Sequence, residues 1–145
     1  MKLKLRPAVF KDWETLLEWR NDSSSRKNSF KQEQIDEQSH KTWLISSLSN
    51  PDRTLLIMED SKGLPLGTVR CDTIASKEKV LSWTINPNYR KKGLGKSMLE
   101  LFLKGSKEDF TAKIKKENIG SIKMAESNGF KHQSGEIYKR IFESK

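Results

Sequence analysis

The chain has 145 residues, a length that suits one domain able to bury its own core. It carries 28 Lys+Arg against 19 Asp+Glu, a formal net charge of +9, and a single cysteine, Cys71, which excludes an intrachain disulfide. No apolar run approaches the roughly 18 residues of a membrane span, and the N-terminus lacks the apolar stretch of a signal peptide, so a cytoplasmic protein is expected.

Leu3 and Leu5 alternate with Lys4 and Arg6 ahead of Pro7, which predicts a short edge strand over residues 3–7. Asp12 is a good N-cap for a helix carrying Trp13, Leu16, Leu17 and Trp19, ending near Asn21 and Asp22. Residues 23–30 are polar and read as a loop. A second helix is expected over residues 32–48, with Ile35, Trp43, Leu44 and Leu48 as its apolar positions. Asn50-Pro51-Asp52 breaks it.

Strands follow. Residues 54–59 and 66–72 form a hairpin about the turn Ser61-Lys62-Gly63, and residues 79–86 form a further strand. After a glycine-containing loop comes a helix over residues 96–104. Residues 110–116 alternate weakly as a strand. Residues 118–128 read as a helix with Ile119, Ile122, Met124 and Ala125, capped by Gly129. Residues 133–142 alternate again and close the sheet. The order is β-α-α-β-β-β-α-β-α-β. The β-α-β unit around the glycine loop calls for one parallel pair; the rest of the sheet is expected to be antiparallel. The fold class is α+β, a single domain over residues 1–145 with helices on a mixed sheet.

The most informative stretch is Asn88-Tyr89-Arg90-Lys91-Lys92-Gly93-Leu94-Gly95-Lys96-Ser97. A strand here turns through a basic loop into a helix. Glycine lets the backbone turn sharply and approach a ligand. The first N–H groups of a helix have no internal partner, and the helix dipole adds to the cations in favouring an anion. A Walker A loop needs its first glycine five residues before Gly95, where Arg90 stands. A dinucleotide fingerprint needs a third glycine where Met98 stands. A basic turn whose glycines only cap elements is the plain alternative.

Arg90-Lys91-Lys92-Gly93-Leu94-Gly95 resembles the Arg/Gln-x-x-Gly-x-Gly/Ala motif of the GNAT family of N-acetyltransferases. A second block agrees: Asn118-Ile119-Gly120-Ser121, then Asn128-Gly129-Phe130, is similar to the family's later helix ending in Gly-Phe. The resemblance implies that the amides of residues 90–96 (Arg90, Lys91, Lys92, Gly93, Leu94, Gly95, Lys96) hold the pyrophosphate of acetyl-CoA as co-substrate. It implies that the backbone from Trp83 to Ile85 pairs with the pantetheine arm like an added strand. An amide near Trp83 then polarises the thioester carbonyl, and Asn118 and Ser121 lie beside the arm. No metal is expected.

Direct acyl transfer needs a neutral amine, so a base must remove a proton, often through water. The family often places a tyrosine where this chain has Ala125 and a glutamate where it has Lys79, so neither group carries over. The catalytic candidates are Ser82 at mid-strand, His40 in the second helix, whose imidazole titrates in a useful range, and Tyr138 in the last strand. Each has a plain structural alternative: a strand-face serine, a helix-surface histidine, a half-buried strand tyrosine.

The N-terminal half resembles the subgroup acting on nucleotide-linked amino sugars, of the pseudaminic acid biosynthesis type. Arg20, Asn21, Arg26, Asn28, Phe30 and Trp43 carry this, with Arg20 and Arg26 suited to a diphosphate and Phe30 or Trp43 to stacking. Trp43 is equally readable as a core anchor. The expected partner is a small-molecule amine, with no membrane and no nucleic acid, and self-association left open. The alternatives are a protein N-terminal acetyltransferase of the ribosomal-protein type and, in another class, a non-catalytic basic module that binds nucleic acid or nucleotides.

Overall fold

In the central strands, period-2 alternation loads both faces of one sheet with apolar groups, so helices must cover both. The computed structural model describes residues 2–30 and 33–142. Its strands are β1 (Leu3–Pro7), β2 (Arg53–Asp60), β3 (Pro65–Thr73), β4 (Lys79–Ile85), β5 (Phe110–Lys113), β6 (Lys131–Ser134) and β7 (Ile137–Arg140). Its helices are α1 (Trp13–Asn21), α2 (Ser23–Asn28), α3 (Glu37–Ser49), α4 (Leu94–Leu103) and α5 (Ile119–Ser127). Among the described residues the strands form a seven-stranded sheet in the order β1-β2-β3-β4-β5-β7-β6. Its pairs are antiparallel except β4 with β5, which is parallel, as the β-α-β reading expects.

One face packs on α4 and α5 through Met58, Val69, Leu81, Met98, Leu99, Ala125 and Phe130. The other packs on α1 and α3, where Leu55 and Ile57 meet Leu16, Trp19 and Leu44. The α4 helix has the apolar stripe of a core helix, and Leu94, Met98, Leu99 and Leu103 are all buried. Gly129 ends α5 at φ +87°, with Phe130 N–H on the Ala125 carbonyl and Gly129 N–H on that of Glu126. That is the left-handed cap the sequence indicates.

Four expectations need correction. Residues 23–28 form a short helix rather than a loop. Asp22 caps it by accepting the Ser25 N–H at 3.1 Å, and Arg90 reaches over from the glycine loop to both Asp22 and Ser25. So short and polar a helix depends on such tertiary contacts. The second helix begins after Asp36, which accepts the Ser39 N–H at 2.8 Å. Ile35 precedes it, held by Asn21, which bonds both its N–H and its carbonyl at 2.8 Å; Gln32 lies outside the described residues. The closing segment is a hairpin of two strands turning at Gly135 (φ +52°) instead of one strand. Asp12 precedes α1 but makes no side-chain cap to it. Its carboxylate accepts the Val9 N–H at 2.8 Å and pairs with Arg6.

Candidate active site

The site begins where β4 and β5 part. They pair only at Val80 with Thr111 and Leu81 with Ala112. Beyond Leu81, β4 continues to Ile85 with its other edge on β3, so the edge from Ser82 to Ile85 faces an opening. An exposed strand edge can accept an extended amide chain through main-chain hydrogen bonds. The indole N–H of Trp83 is buried in this region without an acceptor among the described residues, and its ring lies edge-on to Phe130 at 6.3 Å.

The opening leads into the glycine loop. Lys91 (φ 64°) and Gly93 (φ 76°) both adopt the left-handed region, two positions apart. Left-handed residues in such a loop help gather successive backbone N–H groups into an anion-binding concavity. The first bond closing α4 runs from Ser97 N–H to the Gly93 carbonyl. Among the described residues no backbone carbonyl accepts the N–H of Leu94, Gly95 or Lys96, as expected at a helix start. A Cβ on Gly93 would meet no atom within 4 Å, so the loop is open on that side. Arg90 is turned away to Asp22, at 3.0 Å. Lys91, Lys92 and Lys96 make no hydrogen bond through their ammonium groups among the described residues; Lys92 lies over the Tyr89 ring at 5.4 Å, and Lys96 stands 4.0 Å from Glu100. Orphan amides, loosely held cations and an unobstructed glycine suit a pyrophosphate.

On the far side of the opening, Asn118 caps α5 by accepting the Ser121 N–H at 3.2 Å. This leaves the Asn118 amide NH₂ group without a protein partner among the described residues. Ser121 contributes its backbone to that cap.

The face under α1 and α3 has a different character. Leu55 lies on that face and pairs with Arg70, which in turn pairs with Ser82, and cross-strand partners share a face. Ser82 is exposed there, at the first unpaired position of β4. Arg53 donates to Asp72 at 2.7 Å and to the Ser47 hydroxyl at 2.8 Å. Arg70 Nε stands 3.2 Å from Asp72, as an ion pair without hydrogen-bond alignment. Arg20 lies over the Trp43 ring at 4.6 Å. His40 stacks on Trp43 at 5.6 Å, is fully buried and has no aligned partner for either ring nitrogen. Burial, then the charge of Arg20, lowers its pKa, partly opposed by the Trp13 backbone, so the ring is neutral at pH 7.

The sequence-chosen residues therefore divide. Ser82, Arg20 and Trp43 share the face beside the opening, together with Arg53, Arg70 and Asp72, which sequence reasoning missed. The signal was available: alternation in β3 puts Arg70 and Asp72 opposite Val69 and Cys71, and charge on the inner side of a strand calls for a reason. Arg26, Asn28 and Phe30 belong to α2 and its tail. Phe30 is 49% exposed beneath Lys113 at 4.6 Å and Lys115 at 5.5 Å. Since Arg90 binds α2 from the α4 side, α2 bridges from the glycine loop to the end of β5. The Asn21 amide is engaged at both ends by Ile35. Tyr138 is buried on β7, paired with Ala112 and packed in the α4–α5 core near His132.

The family model for the acetyltransferase (GNAT) domain matches residues 2–131. No curated protein matches the sequence. Among solved structures, an aminoglycoside acetyltransferase in complex with coenzyme A is similar at 17% identity, with a TM-score of 0.80 over 97% of this chain and 95% of that one. Spermidine N-acetyltransferase from Vibrio cholerae, with CoA and spermine, is 15% identical at a TM-score of 0.83, covering 95% and 93%. A GNAT superfamily phosphinothricin acetyltransferase from Sinorhizobium meliloti, with AcCoA, is 19% identical at 0.80, covering 97% and 88%. At these identities the structures speak for the fold.

Proposed function

The chain belongs to the acetyltransferase (GNAT) family, and from that premise we propose that it transfers an acetyl group from acetyl-CoA to the primary amine of a small molecule. The observation that carries the reading is one continuous path. The free edge of β4 from Ser82 to Ile85 runs directly into a glycine loop with orphan amides and unpinned lysines. A thioester arm on that edge would bring its carbonyl to the parting of β4 and β5, with its diphosphate on α4. The similar structures bound to CoA or AcCoA support this placement.

The residues divide the work. Lys91, Lys92, Lys96 and the amides at the start of α4 bind the diphosphate. The backbone and indole N–H of Trp83 and the amide of Asn118 orient the arm. Ser82 holds the water that takes the proton from the attacking amine. His40 and Tyr138, both buried, have the weaker claim on that proton. The acceptor is a nucleotide-linked amino sugar, for which Arg20, Arg26 and Asn28 offer diphosphate and hydroxyl contacts and Trp43 and Phe30 offer rings. A protein N-terminus is the second candidate.

A thiol-release assay with acetyl-CoA, run over a UDP-linked amino sugar and peptides with free N-termini, tests the reading, with mass spectrometry of the product. The expected result is release above the water background with a gain of one acetyl on the sugar amine. Release only with peptides would replace the sugar by a protein N-terminus. No release with any amine, together with no binding of acetyl-CoA, would overturn the function.

A further inference from the structure

Three guanidinium groups gather on the α1–α3 face beside Ser82. Arg53 and Arg70 are the partners of Asp72. Arg20 comes from the last turn of α1 and makes no hydrogen bond or ion pair among the described residues; it rests only on Trp43. Arg53 lies over the same ring at 5.9 Å and shares Asp72 with Arg70, so the three cations lie close together; burial lowers the Arg20 pKa, and the charges of Arg70 and Arg53 lower it further. Three positive charges facing one carboxylate leave an excess of two. The terminal nitrogens of Arg70 also lack any hydrogen bond among the described residues. Half-burying like charges is unfavourable unless a counter-charge arrives. A guanidinium fork held over an aromatic ring with no protein acceptor is available to receive a carboxylate or phosphate with two parallel hydrogen bonds. The position is telling: Arg70 is the cross-strand partner of Ser82, so their Cβ atoms lie about 5 Å apart.

We propose that the acceptor amine carries an anionic group, a carboxylate or a phosphate, which Arg20 and Arg70 bind above Trp43 while the amine points past Ser82 to the open edge of β4. Arg53 and Asp72 are positioning residues that hold Arg70 in place. This rests on the acetyltransferase reading and narrows its substrate class. The arginine cluster selects against polycations such as spermine or an aminoglycoside, whose charges would meet guanidinium groups instead of carboxylates. Like-charge contact of this kind is an effective way to reject a wrong partner.

Two measurements test it. In the first, the protein is saturated with CoA to fill the glycine loop and then titrated with inorganic pyrophosphate by calorimetry. The expected result is millimolar binding that Arg20→Gln and Arg70→Gln each weaken at least tenfold. Arg20→Gln removes no hydrogen bond of the fold, so its melting temperature serves as the check on folding. No pyrophosphate binding, or unchanged binding in both variants, overturns the proposal. In the second, kcat/KM is compared for glucosamine 6-phosphate and glucosamine, with phosphinothricin, a UDP-linked amino sugar, spermidine and kanamycin alongside. A preference of at least tenfold for the phosphorylated sugar, lost in Arg20→Gln through KM, supports it; spermidine or kanamycin as the best acceptor overturns it. Turnover of the sugar phosphate or phosphinothricin without the UDP-sugar removes the nucleotide from the functional reading and leaves this inference standing. If acetyl-CoA does not bind at all, the transferase reading fails, while pyrophosphate affinity in the two variants still decides whether the arginine cluster binds an anion.

Discussion

Gly93 and Gly95 meet different needs although they stand two positions apart. Gly93 turns the chain at φ 76° with open space beside it, so Ala there meets backbone strain of about 1–2 kcal/mol and no clash. Gly95 lies in α4, where an added Cβ would come within 2.1 Å of Met124 Sδ and 2.9 Å of its Cγ. It is glycine because α5 crosses α4 at that point. Gly95→Ala is expected to cost about 1–3 kcal/mol, as overpacking does, softened because the thioether is adaptable. Urea unfolding of Gly95→Ala, Met124→Ala and the double variant checks this: the double variant should lose less than the sum of the singles, and strict additivity would refute the contact. The motif made both glycines visible in the sequence. Their separate reasons were hidden because one depends on a helix 29 positions later.

Among the elements, β1 and the start of α1 are joined by one residue. Arg6 donates to Asp12 at 2.9 Å and 2.8 Å and to Glu59 on β2 at 2.9 Å, with Lys4 adding 3.4 Å to Glu59. Both acids are buried. Burial alone would raise the Asp12 pKa, but the Arg6 bond and the Val9 N–H bring it below the usual range; Glu59 is lowered chiefly by the Arg6 hydrogen bond. Both carboxyls thus bind fewer protons folded than unfolded. Their contribution is complete above the unfolded values and is lost as pH falls below about 4.5. Arg6→Met should cost about 2–3 kcal/mol at pH 7, somewhat under a fully buried pair because the arginine is part-exposed. It should also flatten the decline in melting temperature between pH 5 and pH 3, about the range where these acids protonate. An unchanged acid limb would count against the network. Sequence placed β1 at an edge through its alternation and Pro7, and Asp12 at a helix start. It could not see that Asp12 faces Arg6, since only β1 lying beside β2 creates that meeting. For the same reason α2 was invisible: six polar residues form a helix because Asp22 caps it and Arg90, far along the chain, holds it.

At the scale of the whole molecule, the order of elements was legible from Gly, Pro and periodicity, and the one parallel pair followed from the β-α-β unit. The parting of β4 from β5 after Leu81 was legible only through the family resemblance, which made Trp83 to Ile85 a free edge; nothing in the composition of Ser82 to Ile85 differs from an ordinary strand. The arginine face was hidden, since it is assembled from α1, β2 and β3. Part of the excess of cations over acids borders that opening, with Lys91, Lys92 and Lys96 at the glycine loop and Arg20, Arg53 and Arg70 on the face of Ser82. The loop after β4 is the proposed seat of the acetyl-CoA diphosphate, and calorimetric titration of acetyl-CoA into the wild-type chain and into Gly93→Glu tests that placement. One saturable site per chain is expected in the wild type, able to add about 2.7 kcal/mol of stability at a hundredfold excess over Kd. The variant, still folded by circular dichroism, should bind at least a hundredfold more weakly. Equal affinity in the two proteins, or no binding to the wild type, would mean that this loop does not hold the diphosphate.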